Sequence, residues 1–144
     1  MPIITPTELD THLYPEVTAA LTRDDNTILS RAITAAEQEV KLYLGKYDLT
    51  ALFGTESEAP AVYDELLKQL VKDVACWHLL RLSNNGTEIA VFRTAYVDAL
   101  GTLKNIMNGQ AEPAGWPYAV PMTTEPIDSN AVNWSSNERR SNHY

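Results

Sequence analysis

Val62 to Ser83 reads V-Y-D-E-L-L-K-Q-L-V-K-D-V-A-C-W-H-L-L-R-L-S, and the reading of this stretch decides the fold. It holds no Gly, no Pro and few β-branched residues, so nothing local breaks a helix. At helical spacing Leu66, Leu67, Leu70, Val71, Val74, Ala75, Trp77, His78 and Leu82 share one half of the circumference. Glu65, Lys68, Gln69, Lys72, Asp73 and Cys76 take the other half. An apolar face that wide needs neighbours on more than one side. The run from Trp77 to Leu82 turns apolar almost all round, so that end is expected to be the most deeply covered. Each large aliphatic residue buried there contributes about 1.5–3 kcal/mol. The helix reads as the spine of a bundle.

Upstream, Asp24-Asp25-Asn26 offers N-cap side chains for a helix whose Ile28, Leu29, Ala32, Ile33, Ala36, Val40, Tyr43 and Leu44 share a face. Ser30, Thr34, Glu37, Gln38 and Lys41 face the other way, with Glu37 and Lys41 spaced for an i,i+4 pair. Ala32 and Ala36 allow a partner helix close approach, and Gly45 reads as a C-terminal cap glycine. Further upstream, Thr5-Pro6-Thr7-Glu8 is a capping-box pattern that starts a short helix to about Leu13. Pro15 ends that piece, and Glu16 to Leu21 forms a second short turn. Both are too short to stand alone and must dock. Between the long helices, Lys46 to Pro60 is a connector. Tyr47, Leu49, Leu52 and Phe53 tuck under the helices, and Gly54 to Pro60 is a mobile polar loop.

Downstream, Asn84-Asn85-Gly86 reads as a helix stop and reversal, with Thr87 capping the next helix. That helix places Ile89, Phe92, Ala95, Tyr96, Ala99, Leu100, Leu103, Ile106 and Met107 on one face and ends at Gly109. The short connection makes it antiparallel to the spine. The chain is thus expected to be all-α, with three long antiparallel-type helices, short N-terminal helices and an extended irregular C-terminal arm. Residues 1–109 form the helical bundle domain and 110–144 the Pro/Asn/Ser-rich arm. A purely disordered tail seldom carries two tryptophans. The arm is therefore expected to dock, on its own bundle or on another chain.

Whole-chain properties narrow the function. The chain has 144 residues, one domain by length, and a formal net charge of −8. Acidic excess argues against nucleic acid as the main ligand, though it leaves room for a local basic spot. The start M-P-I-I-T-P-T-E has neither a charged n-region nor an apolar h-region, and no apolar run approaches a membrane span. The expected setting is a reducing cytoplasm, without secretion and without membrane partners. A single cysteine forbids an internal disulfide. The N-x-S/T matches at Asn85 and Asn133 are read as chance in that setting.

The chemical inventory is thin. His12, His78 and His143 are scattered without metal-ligand spacing. His78 reads as a core or interface histidine with one hydrogen-bonded partner, and Cys76 as a polar-side thiol without an adjacent base. No P-loop, dinucleotide glycine motif or G-x-S-x-G occurs. No catalytic, metal or cofactor-binding residue is assigned, and the chain is read as a non-enzyme. Asp24-Asp25 is a helix cap rather than a metal site. Arg81 projects from the middle of the apolar face, either snorkelling to water or pairing across a subunit contact. Trp116, Trp134, Arg139 and Arg140 have the composition of interface anchors, the alternative being local packing beside a frayed terminus.

Four segments carry a resemblance. They are I-T-P-T-E-L-D-T-H-L from Ile4, I-L-S-R-A-I-T-A-A-E-Q-E-V-K-L-Y-L-G-K-Y from Ile28, L-K-Q-L-V-K-D-V-A-C-W-H-L-L-R-L from Leu67, and Y-V-D-A-L-G-T-L-K-N-I-M-N-G from Tyr96. Together they resemble a family of small tailed-phage proteins of formally unknown function, found beside the capsid genes of Mu-like phages and prophages. That family is similar in turn to the helical head–tail connector, or head-completion, proteins of long-tailed phages. The match runs over roughly residues 3 to 109. It departs at Asp48 to Phe53, where the family carries a proline-containing extended piece, and in the longer arm. The resemblance implies a non-enzymatic assembly protein whose copies form a ring on the portal; a twelvefold ring is one form this takes in the virion. Its partners would be itself, the portal protein and a tail-side completion protein, with DNA only as passing cargo and no cofactor. The competing reading is a bacterial helical protein-binding module of unrelated role.

Overall fold

The computed structural model of the chain describes residues 3–23, 25–81 and 89–120. A 3-10 helix, Pro6–Thr11, opens the fold. It is followed by α1 (Pro15–Thr22), α2 (Asn26–Tyr43), α3 (Leu49–Phe53), α4 (Glu65–Leu80) and α5 (Ile89–Met107). Among the described residues there is no strand or sheet, only one isolated antiparallel bridge between Tyr47 and Tyr118. The fold is all-α, as expected.

The spine α4 starts at Glu65 rather than Val62, because Asp64 caps it by accepting the Leu67 N–H at 3.0 Å. Val62 stays outside the helix. Its N–H and that of Ala61 both donate to the Ala51 carbonyl, at 3.1 and 2.9 Å, and so tie the approach to α3. The helix runs to Leu80 with Arg81 as its C-cap; Leu82 and Ser83 lie outside the described residues, as do Asn84-Asn85-Gly86 and Thr87.

α2 packs most extensively on α4, and α5 lies against both. Ala32 and Ala36 are buried at that contact, beside Leu29, Ile33 and Val40, and α5 adds Ala99, Leu103 and Ile106. α4 and α5 are antiparallel. Trp77 near the end of α4 stacks on Tyr96 in the first half of α5 (5.4 Å, 21°), while Trp116 beyond α5 reaches back to Asp64 at the start of α4. α2 is capped by Asp25, which accepts the Thr27 N–H at 2.8 Å; Asp24 lies outside the described residues. Its end differs from expectation. Leu44 is the C-cap, fully buried, and a turn from its carbonyl to the Tyr47 N–H (2.9 Å) leads the chain off. Gly45 is not among the left-handed glycines, so it is no cap glycine.

The polar half of α4 is also not what periodicity suggests. Lys72 and Cys76 are buried, and Leu66 is 46% exposed. The reason is tertiary. The opening 3-10 helix docks over the supposedly solvated face, placing Glu8 3.0 Å from Lys68 Nζ, His12 2.6 Å from Gln69 and Thr11 3.3 Å from Lys72 Nζ. Leu9 and Leu13 are buried beneath it, and Glu8 accepts the Thr5 N–H at 2.7 Å as a capping box requires. Pro15 does not simply end this piece but opens α1 at its first turn.

The connector holds a helix, α3, capped by Asp48, with Tyr47, Leu52 and Phe53 buried as expected. Beyond it, residues 54–60 close on themselves. Thr55 N–H donates to the Glu58 carbonyl (2.9 Å), and Glu58 N–H to the Thr55 hydroxyl (3.1 Å). Gly54 sits at φ +74°, and a Cβ there would fall 2.5 Å from the Glu58 carbonyl oxygen.

Packing continues past Gly109. Trp116 is 5% exposed, donates its Nε1–H to Asp64 (2.8 Å) and sets its ring on edge against Tyr47 (5.4 Å). Tyr118 also stacks on Tyr47, at 5.1 Å. Asp48 N–H donates to the Pro117 carbonyl, and Ala119 N–H to that of Lys46. The first part of the expected arm is thus a strap across the base of the bundle. No helix among the described residues is long and apolar enough to cross a membrane.

Candidate functional site

Where α1 ends, α2 begins and α4 finishes, the three elements leave a cleft of about 600 Å³. Its apolar lining comes from Leu21, Ile28, Ala32 and Ala35, and its charge from Arg23, Arg31 and Arg81. Each arginine is placed by a local feature. Arg23 is the left-handed C-cap of α1 (φ 53°), an unusual conformation for a residue with a Cβ, held by its N–H on the Ala19 carbonyl. Arg31 lies one turn after Ile28 and lines the cleft with Ala32 and Ala35. Arg81 caps α4, its N–H on the Trp77 carbonyl at 3.0 Å. All three are exposed, and none forms an ion pair among the described residues, although Asp25 feels the charge of Arg31. In a chain of net charge −8 this is a concentrated reversal of sign.

His78 forms the back of the cleft and joins it to a polar network inside the bundle. Its Nε2 lies 2.7 Å from one oxygen of Glu39, and Tyr96 donates its hydroxyl to the other oxygen, also at 2.7 Å. One carboxylate of α2 thereby ties α4 and α5 together, and Trp77 seals the network by stacking on Tyr96. Burial, then the bond to Glu39, pushes the Tyr96 hydroxyl up to about 12, so it stays a neutral donor. His78 is a half-buried histidine with Glu39 as a carboxylate partner.

Cys76 is not on a polar face. It is 1% exposed, and burial, with Asp73 adding to it, pushes its thiol up to about 12, the opposite of what a nucleophile needs. Among the described residues no three His, Cys, Asp or Glu side chains gather as metal ligands would. Of the residues singled out as interface candidates, Arg81 stands on the cleft rim. Trp116 is not a free anchor but part of the chain's own core, because Tyr47 and Asp64 provide its partners. Trp134, Arg139 and Arg140 lie outside the described residues. Arg23 and Arg31 escaped the sequence reading. Arg31 sits between helix faces and Arg23 in a junction, and neither position signals that a third arginine meets them.

No protein-family model, curated protein or solved structure matches the chain.

Proposed function

We propose that this chain is a non-enzymatic structural protein of a tailed phage or prophage. It acts in the virion or the bacterial host cytoplasm as a head–tail connector that assembles on the portal. The observation that carries the reading is the cleft: exposed arginines that form no ion pair among the described residues, set around an apolar floor. Such a surface suits docking onto a polypeptide, with the charges fixing register and the floor supplying burial. The order of its helices, and their resemblance to the connector-like family, supply the setting.

Sedimentation with phage heads tests it. Heads carrying the portal are expected to bring the protein down at a fixed stoichiometry, and heads lacking the portal are not. The runner-up, a bacterial binding module, uses the same cleft for another protein; it gains the case if portal-bearing heads leave the protein in the supernatant.

A further inference from the structure

The two flanks of α2 differ in charge: three arginines lie on one, and on the other the Glu37–Lys41 pair lies beside Glu56. Ile28, Arg31, Ala32 and Ala35 border the arginine cleft. Roughly 150° around the same helix, at about 100° per residue, Thr34, Glu37 and Lys41 border a second groove that also includes Glu56. Glu56 belongs to the turn after α3, where Glu56, Ser57, Glu58 and Ala59 are all exposed. Neither Glu56 nor Glu58 makes an ion pair among the described residues. The left-handed Gly54 and the two Thr55–Glu58 hydrogen bonds shape this segment into a tight, exposed acidic tip.

We propose that the Arg23–Arg31–Arg81 cleft of one copy receives the Glu56–Glu58 tip of a second copy. The proposal deepens the connector reading and rests on its view of the chain as self-assembling. The two carboxylates meet the guanidinium groups, and Ala59 and Pro60 beside them lie on the floor of Leu21, Ile28, Ala32 and Ala35. Copies of a chain at −8 repel one another, so contact between them requires a local match of opposite charges. Donor and acceptor are different surfaces on opposite flanks, so the contact is heterologous: each copy that docks its tip leaves its own cleft open to the next. Repetition of such a contact builds a ring where the rotation closes and a filament where it does not. Phosphate is the competing occupant of three arginines. The apolar floor favours the polypeptide.

A charge swap on the full chain tests this. Self-association of the wild type is measured by sedimentation across a concentration series. It is then measured for Arg31→Glu with Arg81→Glu, for Glu56→Arg with Glu58→Arg, and for an equimolar mixture of the two. Each double variant is expected to associate at least about 100-fold more weakly, since close charge pairs across interfaces carry couplings of that order. The mixture restores association, because each variant's tip then matches the other's cleft, and this rescue also shows that both variants are folded. Three results overturn the proposal: variants that associate as the wild type does; a wild type that is monomeric up to about 1 mM; or arginine reversals that abolish binding of a short DNA duplex while self-association is unchanged. In each case the connector reading is judged separately, by capture on portal-bearing heads.

Discussion

Trp116 is held by a hydrogen bond to Asp64 and by the face of Tyr47, and its replacement tests whether the strap belongs to the core. Trp116→Ala should cost about 3–5 kcal/mol of stability in urea unfolding. Trp116→Phe, which mainly removes the bond to a carboxylate, should cost about 1.5–3 kcal/mol. The tryptophan signalled docking but not its partners: the residue lies in a Pro- and Gly-rich run without period, and they are more than fifty positions away in sequence. Glu37 supports a second prediction. Burial raises its carboxyl above the ordinary value, against the Ile3 N–H bond and Lys41. Its folded form therefore takes up a proton more readily than the unfolded chain. The stability it contributes is present at low pH and lost as pH rises through its folded value. Glu37→Gln keeps an acceptor for the Ile3 N–H, 2.7 Å away, and removes the charge. Above about pH 4, where the unfolded carboxyl titrates, it should lack the wild type's decline from this group, read as the difference between the two urea-midpoint profiles. Cys76 should resist thiol reagents in the native protein and react only on unfolding, because the thiol is buried and its pKa pushed up to about 12.

At the scale of elements, the long helices were legible because each has an apolar stripe that one-dimensional spacing exposes. Leu29, Ala32, Ile33, Ala36 and Val40 went where the 3.6-residue period put them. What the period cannot see is a neighbour arriving on the polar side. Lys72 keeps its ammonium on Thr11 and Cys76 needs no partner, so both are at home beneath the opening 3-10 helix. A polar stripe therefore marked a docking face rather than solvent. The helix starts depend on side-chain caps that the sequence displayed ambiguously: Asp64 lies inside a run that reads as helical throughout. Gly54 is a sharper test of local structure. Gly54→Ala should lower stability by about 1–3 kcal/mol, the scale of a strained backbone position, since the added methyl meets the Glu58 carbonyl oxygen and the left-handed φ disfavours it. Thermal unfolding reads this directly.

At the scale of the molecule, the working unit of the bundle extends beyond Gly109. A chain ending at Gly109 should be at least about 3 kcal/mol less stable than one ending at Val120, through the burial of Trp116 and the strap's hydrogen bonds to Lys46 and Asp48. Fold class was readable from the chain because it is a sum of stripes. The cleft was not, because Arg23, Arg31 and Arg81 belong to a loop, a helix flank and a helix end that only packing brings together. The connector reading turns on assembly. The measurement that decides it is the mass distribution of the purified protein over a concentration series, alone and with the portal ring added, with electron microscopy of the product. A head–tail connector should settle at one discrete multiple of the chain mass in closed rings, on the portal if not before. A monomer at every concentration, unchanged by the portal, would contradict the proposed role.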